Sequence, residues 1–317
     1  MPLDVLCIGG AATDGSFRLE APAVLGTSNI GAETFGFGGV ARNVAESLAR
    51  LGARAGLLSA VGADASGWEL IDDLAAVGVD AGLVRIVPGA VTSRYVAILQ
   101  PDGELVVGVN AMGIIARIDR TDIAGAPLDD AAWVFAECNL AADTLLAVIE
   151  RRRSGGSFRL AIDAISVPKA IRLPEDLGGV DLVCANSDEA NAILGRREPA
   201  TREGAVALAH GLLDRGAEAA MVSVGSIGAV VASSDGAWSV GAVPADVVDV
   251  TGAGDARIAG TLLGLLAGEP LPQAARRGAL LAALAAESPR AIDPALTPQR
   301  VDALADRITA ATVEGPL

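Results

Sequence analysis

The chain has 317 residues, of which 51% are apolar and only 3% are aromatic, and its formal net charge at pH 7 is -15. This length and apolar content suffice for one large domain with a sizeable core. The acidic charge argues against a nucleic-acid-binding protein, and the scarcity of aromatic side chains argues against stacking platforms for single strands. We therefore expect one domain, residues 1–317, with an acidic solvated surface and no nucleic-acid partner.

The cysteines and the first residues indicate the compartment. Cys7, Cys138 and Cys184 lie in apolar runs typical of strands, and their spacing predicts free buried thiols rather than disulfides or a zinc site. The N-terminus, MPLDVLCIGG, lacks the basic segment of a signal peptide, and the apolar helices are too short to span a bilayer. We expect a soluble cytoplasmic protein with no membrane partner. The single histidine, His210, is expected to be structural or exposed.

The first third of the chain alternates strands with helices and then changes its pattern. LDVLCIGG predicts a buried parallel strand, VARNVAESLARLG predicts a helix, and residues 54–87 predict a strand, a helix and a second strand. No helix follows; TSRYVAILQPDGELVVGVN instead predicts two strands joined at Pro101-Asp102-Gly103. We expect strands from about 15–37 and 91–110 to form a small separate sheet.

The remainder of the chain returns to alternation. AAWVFAEC, FRLAIDA, VDLVCAN and AEAAMVSVG predict strands, and AADTLLAVIERRR, SDEANAIL and REGAVALAHGLLDRG predict the helices between them. GAVVASSDGAWSVGA is typical of a hairpin, and helices are predicted over 253–268, 271–287 and 297–311. This order predicts an α/β fold with a mostly parallel central sheet covered by helices on both faces.

One short motif, DVTGAGDARIAG, points to phosphate chemistry. Gly252 and Gly254 separate Thr251 from Asp255 just before an apolar helix. Backbone N–H groups at such a helix start point in one direction, and residues without side chains let an anion approach them. A carboxylate beside this anion hole can accept the proton of an attacking hydroxyl. An ordinary helix start with a capping acid is the alternative interpretation.

Two further motifs bear on the same chemistry. GFGGVARNVAE places Gly38, Gly39 and Asn43 at a loop-to-helix junction, where a ligand can approach the glycines and the amide can bind hydroxyls. ANSDEANAIL places Asn186 and Glu189 after a strand, where their oxygens can hold a hydrated magnesium ion near phosphates. The sequence lacks the motifs of a P-loop, a protein kinase and a dinucleotide-binding turn.

In this order, GGVARNVA, NSDE and DVTGAGDARIAG resemble the signatures of the ribokinase-like (PfkB-type) carbohydrate kinase family, and the resemblance covers nearly the whole chain. It implies a three-layer α/β/α domain with a small β-sheet lid, and phosphorylation of a hydroxymethyl group by ATP with Mg2+. Asp255 would be the general base, and Gly252, Ala253 and Gly254 would form the anion hole. The resemblance also implies that the sugar contacts Asp14, Gly38, Gly39 and Asn43. Mg2+, through water, and phosphate would contact Asn186 and Glu189. ATP would contact Ser223, Gly225, Gly228 and Thr251, and K+ would contact oxygens around Asp249 and Thr251.

Within the family, VPGAVTSRYVAIL, GELVVGVNAMGI and FAECNL resemble stretches of pseudouridine kinases, which implies phosphorylation of the 5′-hydroxyl of pseudouridine. Such an enzyme must hold a base as well as a ribose. The lid is expected to contact the base, with plain hairpin and core packing as the alternative for each candidate: Thr92, Ser93, Tyr95, Asn110 and Met112. Lys169, the only lysine, follows the strand LAIDAIS and is expected to meet a base carbonyl or a phosphate, or else to be an ordinary surface residue.

Two positions depart from the family pattern. Ala12 stands where ribokinases often have Asn, which weakens the case for free ribose. Arg257 stands where many members have Phe; it lies about 200° around the helix from Asp255, so we expect altered packing or a local ion pair rather than a catalytic role. A kinase for another nucleoside or a free sugar is the alternative substrate class, and a non-catalytic ligand sensor is the alternative function. Exposed apolar lid strands predict a homodimer.

Overall fold

The computed structural model describes residues 2–317. Its strands are β1 (Leu3–Ile8), β2 (Ala12–Leu19), β3 (Gly31–Gly38), β4 (Ala55–Gly62), β5 (Asp80–Val87), β6 (Ser93–Leu99), β7 (Leu105–Ala111), β8 (Ala131–Glu137), β9 (Arg159–Asp163), β10 (Leu182–Asn186), β11 (Ala219–Ser223), β12 (Gly228–Ser233), β13 (Gly236–Gly241) and β14 (Val313–Glu314). Its α-helices are α1 (Val40–Arg50), α2 (Ala65–Ala76), α3 (Arg120–Gly125), α4 (Ala142–Arg153), α5 (Val167–Ala170), α6 (Ser187–Leu194), α7 (Arg202–Asp214), α8 (Ala253–Leu266), α9 (Leu271–Ala286), α10 (Pro298–Ala303) and α11 (Ala305–Ile308).

The main sheet has the strand order β14-β13-β12-β11-β10-β9-β8-β1-β4-β5. The strands from β11 to β5 in this order are parallel to their neighbours, whereas β12, β13 and β14 each run antiparallel to the strand before them. Parallel strands end at one edge of a sheet, so the carboxyl ends of β8 to β11 lie side by side. This edge carries the candidate site.

Both faces of the sheet are buried. In β1, Leu6 and Ile8 enter one core cluster, while Val5 and Cys7 enter the other. Helices α3, α4, α6 and α7 contribute to the first cluster, and α1, α2, α8 and α9 contribute to the second. Covering on both faces explains why the strands are continuous apolar runs rather than alternating ones. The predicted three-layer α/β/α fold is confirmed.

A second, small sheet has the order β3-β2-β6-β7. β2 and β6 are parallel, and the outer strands are antiparallel to them. The predicted turn joins β6 and β7, where the Gln100 N–H donates to the Glu104 carbonyl oxygen at 2.8 Å. On the edge strand β7, Leu105, Val107 and Val109 alternate on one face and are exposed. A separate small sheet is therefore present, as the resemblance implied.

Close helix packing sets the position of α8 against α9. Gly260 and Gly278 face each other, and a Cβ built on Gly260 would lie 2.8 Å from the Gly278 Cα. Only residues without side chains allow two helix backbones to approach so closely. This contact holds the N-terminus of α8 at the site edge of the sheet.

Several local predictions differ from the structure. The helix predicted over 297–311 is two short helices, because the Leu304 N–H bonds the Val301 carbonyl and tightens the turn between them. Cys138 lies one residue beyond β8 rather than in a strand, although all three thiols are free and buried. His210 is exposed on α7. Within residues 2–317, none of the helices combines the length and apolarity needed to cross a bilayer.

Candidate active site

Two glycines make room for an acid at the start of α1. A Cβ on Gly38 would lie 1.8 Å from the Asp14 Oδ2, so only glycine lets this carboxyl group sit against β3. Gly39, the N-cap of α1, has a φ of 97°. A Cβ on Gly39 would lie 2.5 Å from the Gly10 carbonyl oxygen, so this position also requires glycine. Burial raises the pKa of Asp14 to about 6, and the charge of Arg42 opposes this rise. Of the predicted sugar-side residues, Gly38 therefore lies directly against the partly buried carboxyl group of Asp14, and Gly39 lies against the backbone of Gly10.

Asn43 connects this region to the helix α8. Its Nδ2 donates to the Asp255 Oδ2 at 2.8 Å, although the two residues are 212 positions apart. Its Oδ1 accepts from the Arg42 Nη1 at 3.2 Å, and Arg42 is held in turn by Asp73 and Glu46. The orientation of the Asn43 amide is thereby fixed by Arg42, since a guanidinium can only donate.

Asp255 has the electrostatic character of a general base. Burial raises its pKa to about 7, the hydrogen bond from Asn43 lowers it, and the charges of Glu137 and Asp14 raise it. A base works best when its pKa lies near the working pH, because it is then both deprotonated and basic. The carboxyl group lies in the first turn of α8 beside the free amides described next.

The start of α8 is arranged to bind an anion. Gly252 is the N-cap with a φ of 80°, and no side chain caps the helix. Within residues 2–317, the N–H groups of Gly252, Gly254 and Asp255 have no hydrogen-bond partner, so they are available to an oxyanion. The Ala253 N–H differs: it donates to the Val250 carbonyl at 3.2 Å. The geometry thus supports Gly252 and Gly254 in the predicted anion hole better than Ala253.

Acidic side chains gather across the cavity from α8. Asn186 and Glu189 form a reciprocal cap on α6, with the Asn186 N–H donating to Glu189 Oε2 at 2.8 Å and the Glu189 N–H donating to Asn186 Oδ1 at 2.9 Å. Asp163, at the end of β9, lies on the same cavity of about 190 Å³. Burial raises the pKa of Glu189 and, together with the charges of Glu189 and Asp255, raises that of Asp163 well above its ordinary value. Crowded carboxylates of this kind favour a bound cation.

These oxygens fit a hydrated magnesium ion. Carboxylate and amide oxygens are the ligands that Mg2+ prefers, usually with several waters retained. Among the described residues, no three acid, histidine or cysteine side chains are close enough to hold a metal by themselves. Asn186 and Glu189 would therefore hold the ion through water and through the phosphates of a nucleotide.

Ile165 shows that the backbone beside Asp163 is strained. Its φ is 65°, a left-handed conformation that a β-branched residue rarely adopts. The Ile165 N–H faces Asp163 and lowers its pKa, against the larger rise caused by burial. Backbone strain of about 1–3 kcal/mol is typical of positions that the surrounding structure holds for function.

Lys169 is engaged with a buried acid. Its ammonium group donates to the Asn139 Oδ1, and the Asn139 Nδ2 donates to the Glu137 Oε1 at 3.1 Å. Glu137 is fully buried at the end of β8, and it also accepts from the backbone N–H groups of Gly10 and Asn139. Burial raises the pKa of Glu137 and lowers that of Lys169. The lysine is half-buried and partnered, which differs from the predicted surface alternative.

The lid candidates separate into two groups. Tyr95 lines a cavity of about 660 Å³ between the small sheet and the main domain, and Asp14 lines the same cavity. Thr92 is buried in a structural network: its Oγ1 accepts from the Gly62 N–H at 2.9 Å and donates to Asp64. The structure does not bring the others to this cavity; Ser93 is buried, Asn110 is exposed opposite Tyr95, and Met112 packs against the core.

The nucleotide-side candidates lie near the same sheet edge. Ser223 lines the smaller cavity with Asn186, and Gly225 and Gly228 follow it with φ values of 49° and 119°. A Cβ on Gly228 would lie 2.1 Å from the Val240 carbonyl oxygen, so this turn requires glycine. Thr251 and Asp249 lie apart, on the larger cavity, where the Thr251 N–H donates to the Asp249 Oδ1 at 2.8 Å.

The prediction of a local ion pair for Arg257 is wrong. Among residues 2–317 its side chain forms no ion pair, and its Nη1 is buried without a hydrogen-bond partner. Arg257 also lines the same cavity as Asp255, together with Gly254 and Ile258 of α8.

Sequence reasoning missed Glu137, Asp163 and Arg42. A signal was present for the two acids, since AAWVFAEC and FRLAIDA each end a buried apolar run with a carboxylate. An acid at the carboxyl end of a parallel strand lies where α/β sheets bind ligands. Arg42 carried no such signal, because its partners come from α2 and from its own helix.

Comparisons with known proteins agree with this geometry. The chain is 31% identical over 280 residues to a pseudouridine kinase of Escherichia coli (strain K12), an alignment that covers 86% of this chain and 87% of that one. It is 27% identical over 306 residues to a guanosine-inosine kinase of Exiguobacterium acetylicum, covering 95% of this chain and 99% of the relative.

The structural match is equally extensive. A carbohydrate kinase from Agrobacterium tumefaciens superposes with a TM-score of 0.83 at 27% identity, covering 98% of each chain. The pfkB family of carbohydrate kinases matches residues 3–298. Members transfer a phosphoryl group to a hydroxyl group of a small molecule, which is the chemistry that an anion hole beside a carboxylate serves. This chain belongs to the pfkB family of carbohydrate kinases.

Proposed function

We propose that the protein phosphorylates the 5′-hydroxyl of pseudouridine with ATP, yielding pseudouridine 5′-phosphate and ADP. The observation that carries the proposal is the 2.8 Å hydrogen bond between Asn43 and Asp255. It joins the sugar-side motif to the catalytic helix, so that an acceptor hydroxyl bound near Asp14 and Asn43 would lie beside the base. The 31% identity to a pseudouridine kinase supports the choice of acceptor.

In the proposed reaction, Asp255 accepts the proton of the 5′-hydroxyl. The hydroxyl oxygen forms a bond to the γ-phosphorus while the bond from that phosphorus to the β,γ-bridging oxygen breaks, and ADP leaves with the electron pair. The free amides of Gly252 and Gly254 stabilise the charge on the transferring group. Rate acceleration would come mainly from positioning and electrostatics, as in other phosphoryl transfers.

Mg2+, when bound, would neutralise charge on the nucleotide phosphates. Asn186 and Glu189 would orient its waters, as their position on the α6 cap allows. Their reciprocal hydrogen bonds already fix both side chains, so little ordering is needed when the nucleotide arrives. Ser223, which lines the smaller cavity, would contact ATP. Contact of Thr251 with ATP and K+ binding around Asp249 stay predictions from the family resemblance, since both residues line the larger cavity.

The acceptor would lie beneath the small sheet. Asp14 is placed to bind ribose hydroxyls, and Tyr95 on β6 is the lid residue best placed to contact the base, since both line the larger cavity. Lys169 would act through Asn139 and Glu137 at the edge of the site. Another nucleoside or a free sugar is the second candidate acceptor, favoured by the match to a guanosine-inosine kinase. A homodimer through the exposed face of β7 remains our prediction.

A substrate panel tests the proposal. Purified protein is given ATP, Mg2+ and one of pseudouridine, uridine, guanosine, inosine or ribose, and ADP release and product mass are measured. We expect kcat/KM for pseudouridine to exceed that for every other compound by about 10-fold or more, the effect of one or two well-placed hydrogen bonds. Good turnover of another compound without turnover of pseudouridine would refute the acceptor while leaving the kinase activity intact.

The pH dependence of the rate follows from Asp255. The base must be ionised to accept a proton, and its pKa is about 7, so kcat/KM should rise with pH and level off above about 7. Asn43→Ala removes the bond that lowers this pKa and should move the acid limb to higher pH. Glu137→Gln removes a charge that raises it and should move the limb to lower pH. A flat wild-type profile, or shifts of the two variants in the same direction, would contradict this assignment.

A further inference from the structure

Arg257 is a buried cation without a partner. The residue is only 9% exposed on α8, and its Nη1 has no hydrogen-bond partner among residues 2–317. A buried guanidinium normally costs several kcal/mol unless it is paired. A charge at this position therefore calls for an anion that the described residues do not supply.

The geometry places the guanidinium on the cavity where phosphoryl transfer is proposed. Arg257 lines this cavity together with Asp255, whose N–H is one of the free amides of the first turn of α8. Gly254, one turn before it, lines the same cavity of about 190 Å³, and a Cβ there would meet nothing within 4 Å. The cavity is therefore open at Gly254, on the same lining as Arg257.

Acidic residues outnumber basic ones around the cavity. Asp163, Glu189 and Asp255 line it, and Arg257 is its one basic residue among those described. None of the three carboxylates lies within ion-pair distance of the guanidinium. A triphosphate that enters this cavity would meet three carboxyl side chains and a single guanidinium group.

The position is unfavourable for a cation when no anion is bound. Burial lowers the pKa of Arg257 to about 10, which still leaves it charged at neutral pH. The positive end of the α8 dipole, near the same amides, adds to the cost. An anion at the helix start would relieve both effects at once. The planar guanidinium suits phosphate, because it can donate two parallel hydrogen bonds.

We propose that Arg257 donates hydrogen bonds to the terminal phosphate of bound ATP and, as a catalytic residue, stabilises its charge during transfer. This inference rests on the phosphoryl transfer proposed above but not on the identity of the acceptor. The residue would act from α8 itself, alongside the amides of Gly252 and Gly254.

Nucleotide titrations test the inference without turnover. Binding of the β,γ-imido analogue of ATP, of ADP and of AMP is measured by calorimetry with Mg2+ for wild type, Arg257→Met and Arg257→Lys. We expect Arg257→Met to lower the affinity for the ATP analogue about 10- to 100-fold, which is the effect of one lost charged hydrogen-bonding pair. The affinities for ADP and AMP should not change. The affinity of Arg257→Lys for the ATP analogue should lie between that of wild type and that of Arg257→Met.

A matched control separates this effect from a general loss of buried charge. Arg276 on the neighbouring α9 also has a buried nitrogen without a partner, Nε, but it lies outside the cavity. Arg276→Met should leave the preference for the ATP analogue over ADP unchanged. Thermal melting checks folding: without ligand, Arg257→Met should melt no lower than wild type, since it removes an unpaired buried charge.

The outcomes distinguish the two proposals. If Arg257→Met keeps the wild-type preference for the ATP analogue over ADP, the inference is wrong even when pseudouridine is the substrate. If the preference is lost while pseudouridine is not turned over, the arginine role stands and the acceptor proposal fails. An equal loss of affinity for the ATP analogue and for ADP would also overturn the inference, because Arg257 would then contact a phosphate other than the terminal one of ATP.

Discussion

Asp255→Asn should lower kcat by at least about 10³-fold while leaving the affinity for ATP nearly unchanged, because the amide cannot accept the proton of the attacking hydroxyl. The substitution keeps the size of the side chain and an oxygen that can accept from the Asn43 Nδ2. Single-turnover phosphoryl transfer and calorimetric ATP titration measure the two quantities separately. Near-normal transfer by the variant would exclude Asp255 as the base.

Thermal stability provides a second readout for the same variant. The pKa of Asp255 is raised from 3.8 to about 7, so the folded protein binds the proton more tightly than the unfolded chain does. Ionisation of this group therefore destabilises the fold, an effect that is absent well below pH 4 and complete well above about pH 7. At about pH 8 Asp255→Asn should raise the melting temperature, and the gain should disappear toward about pH 4.

Gly252→Ala should lower kcat by about 10²- to 10³-fold, the cost of losing an aligned donor in an oxyanion hole. Gly252 has a φ of 80°, and a Cβ there would lie 2.2 Å from the Ala291 carbonyl oxygen. The methyl group must push the backbone away and misalign the amides at the start of α8. We also expect a loss of about 1–3 kcal/mol in the free energy of unfolding.

Two further glycine substitutions distinguish strain from obstruction. Gly254→Ala adds a Cβ that meets nothing within 4 Å, so the free energy of unfolding should not change. The rate should fall, because the methyl group hinders the approach of phosphate to the anion hole. Gly125→Ala, in α3 and away from the site, also meets nothing within 4 Å and should change neither quantity. Denaturant unfolding and steady-state kinetics compare the three variants. Equal stability of Gly252→Ala and Gly254→Ala would argue against the strained N-cap.

The pairing of Asn43 with Asp255 also explains how the two halves of the site depend on each other. Arg42 fixes the amide of Asn43, and Asn43 in turn lowers the pKa of Asp255. Asp73 and Glu46 hold Arg42 in place through ion pairs. Changes on α2, a helix distant in sequence from Asp255, should therefore alter the pKa of Asp255 through this chain of contacts.

The sequence by itself determined the layer order and the location of the main motifs. Apolar runs and helical periods are local patterns, so they predicted the parallel sheet, the small sheet and the helix that follows Gly252. The glycines at 38, 39 and 252 were also located from the sequence, and the structure shows the close approach or positive φ that requires glycine at each of them. Helix ends were predicted less accurately. The helix predicted over 297–311 breaks at Leu304 because of one local hydrogen bond, which the apolar pattern does not show.

Only the tertiary structure decided which polar groups meet. Thr92 was expected either at the base or in plain packing; it precedes β6 and bonds Gly62 and Asp64, the N-cap of α2. Arg257 was expected to lie off the catalytic face, yet it shares a cavity with Asp255. Hydrogen bonds and charges act between residues that are hundreds of positions apart, so their energies depend on distances and burial that no local pattern contains.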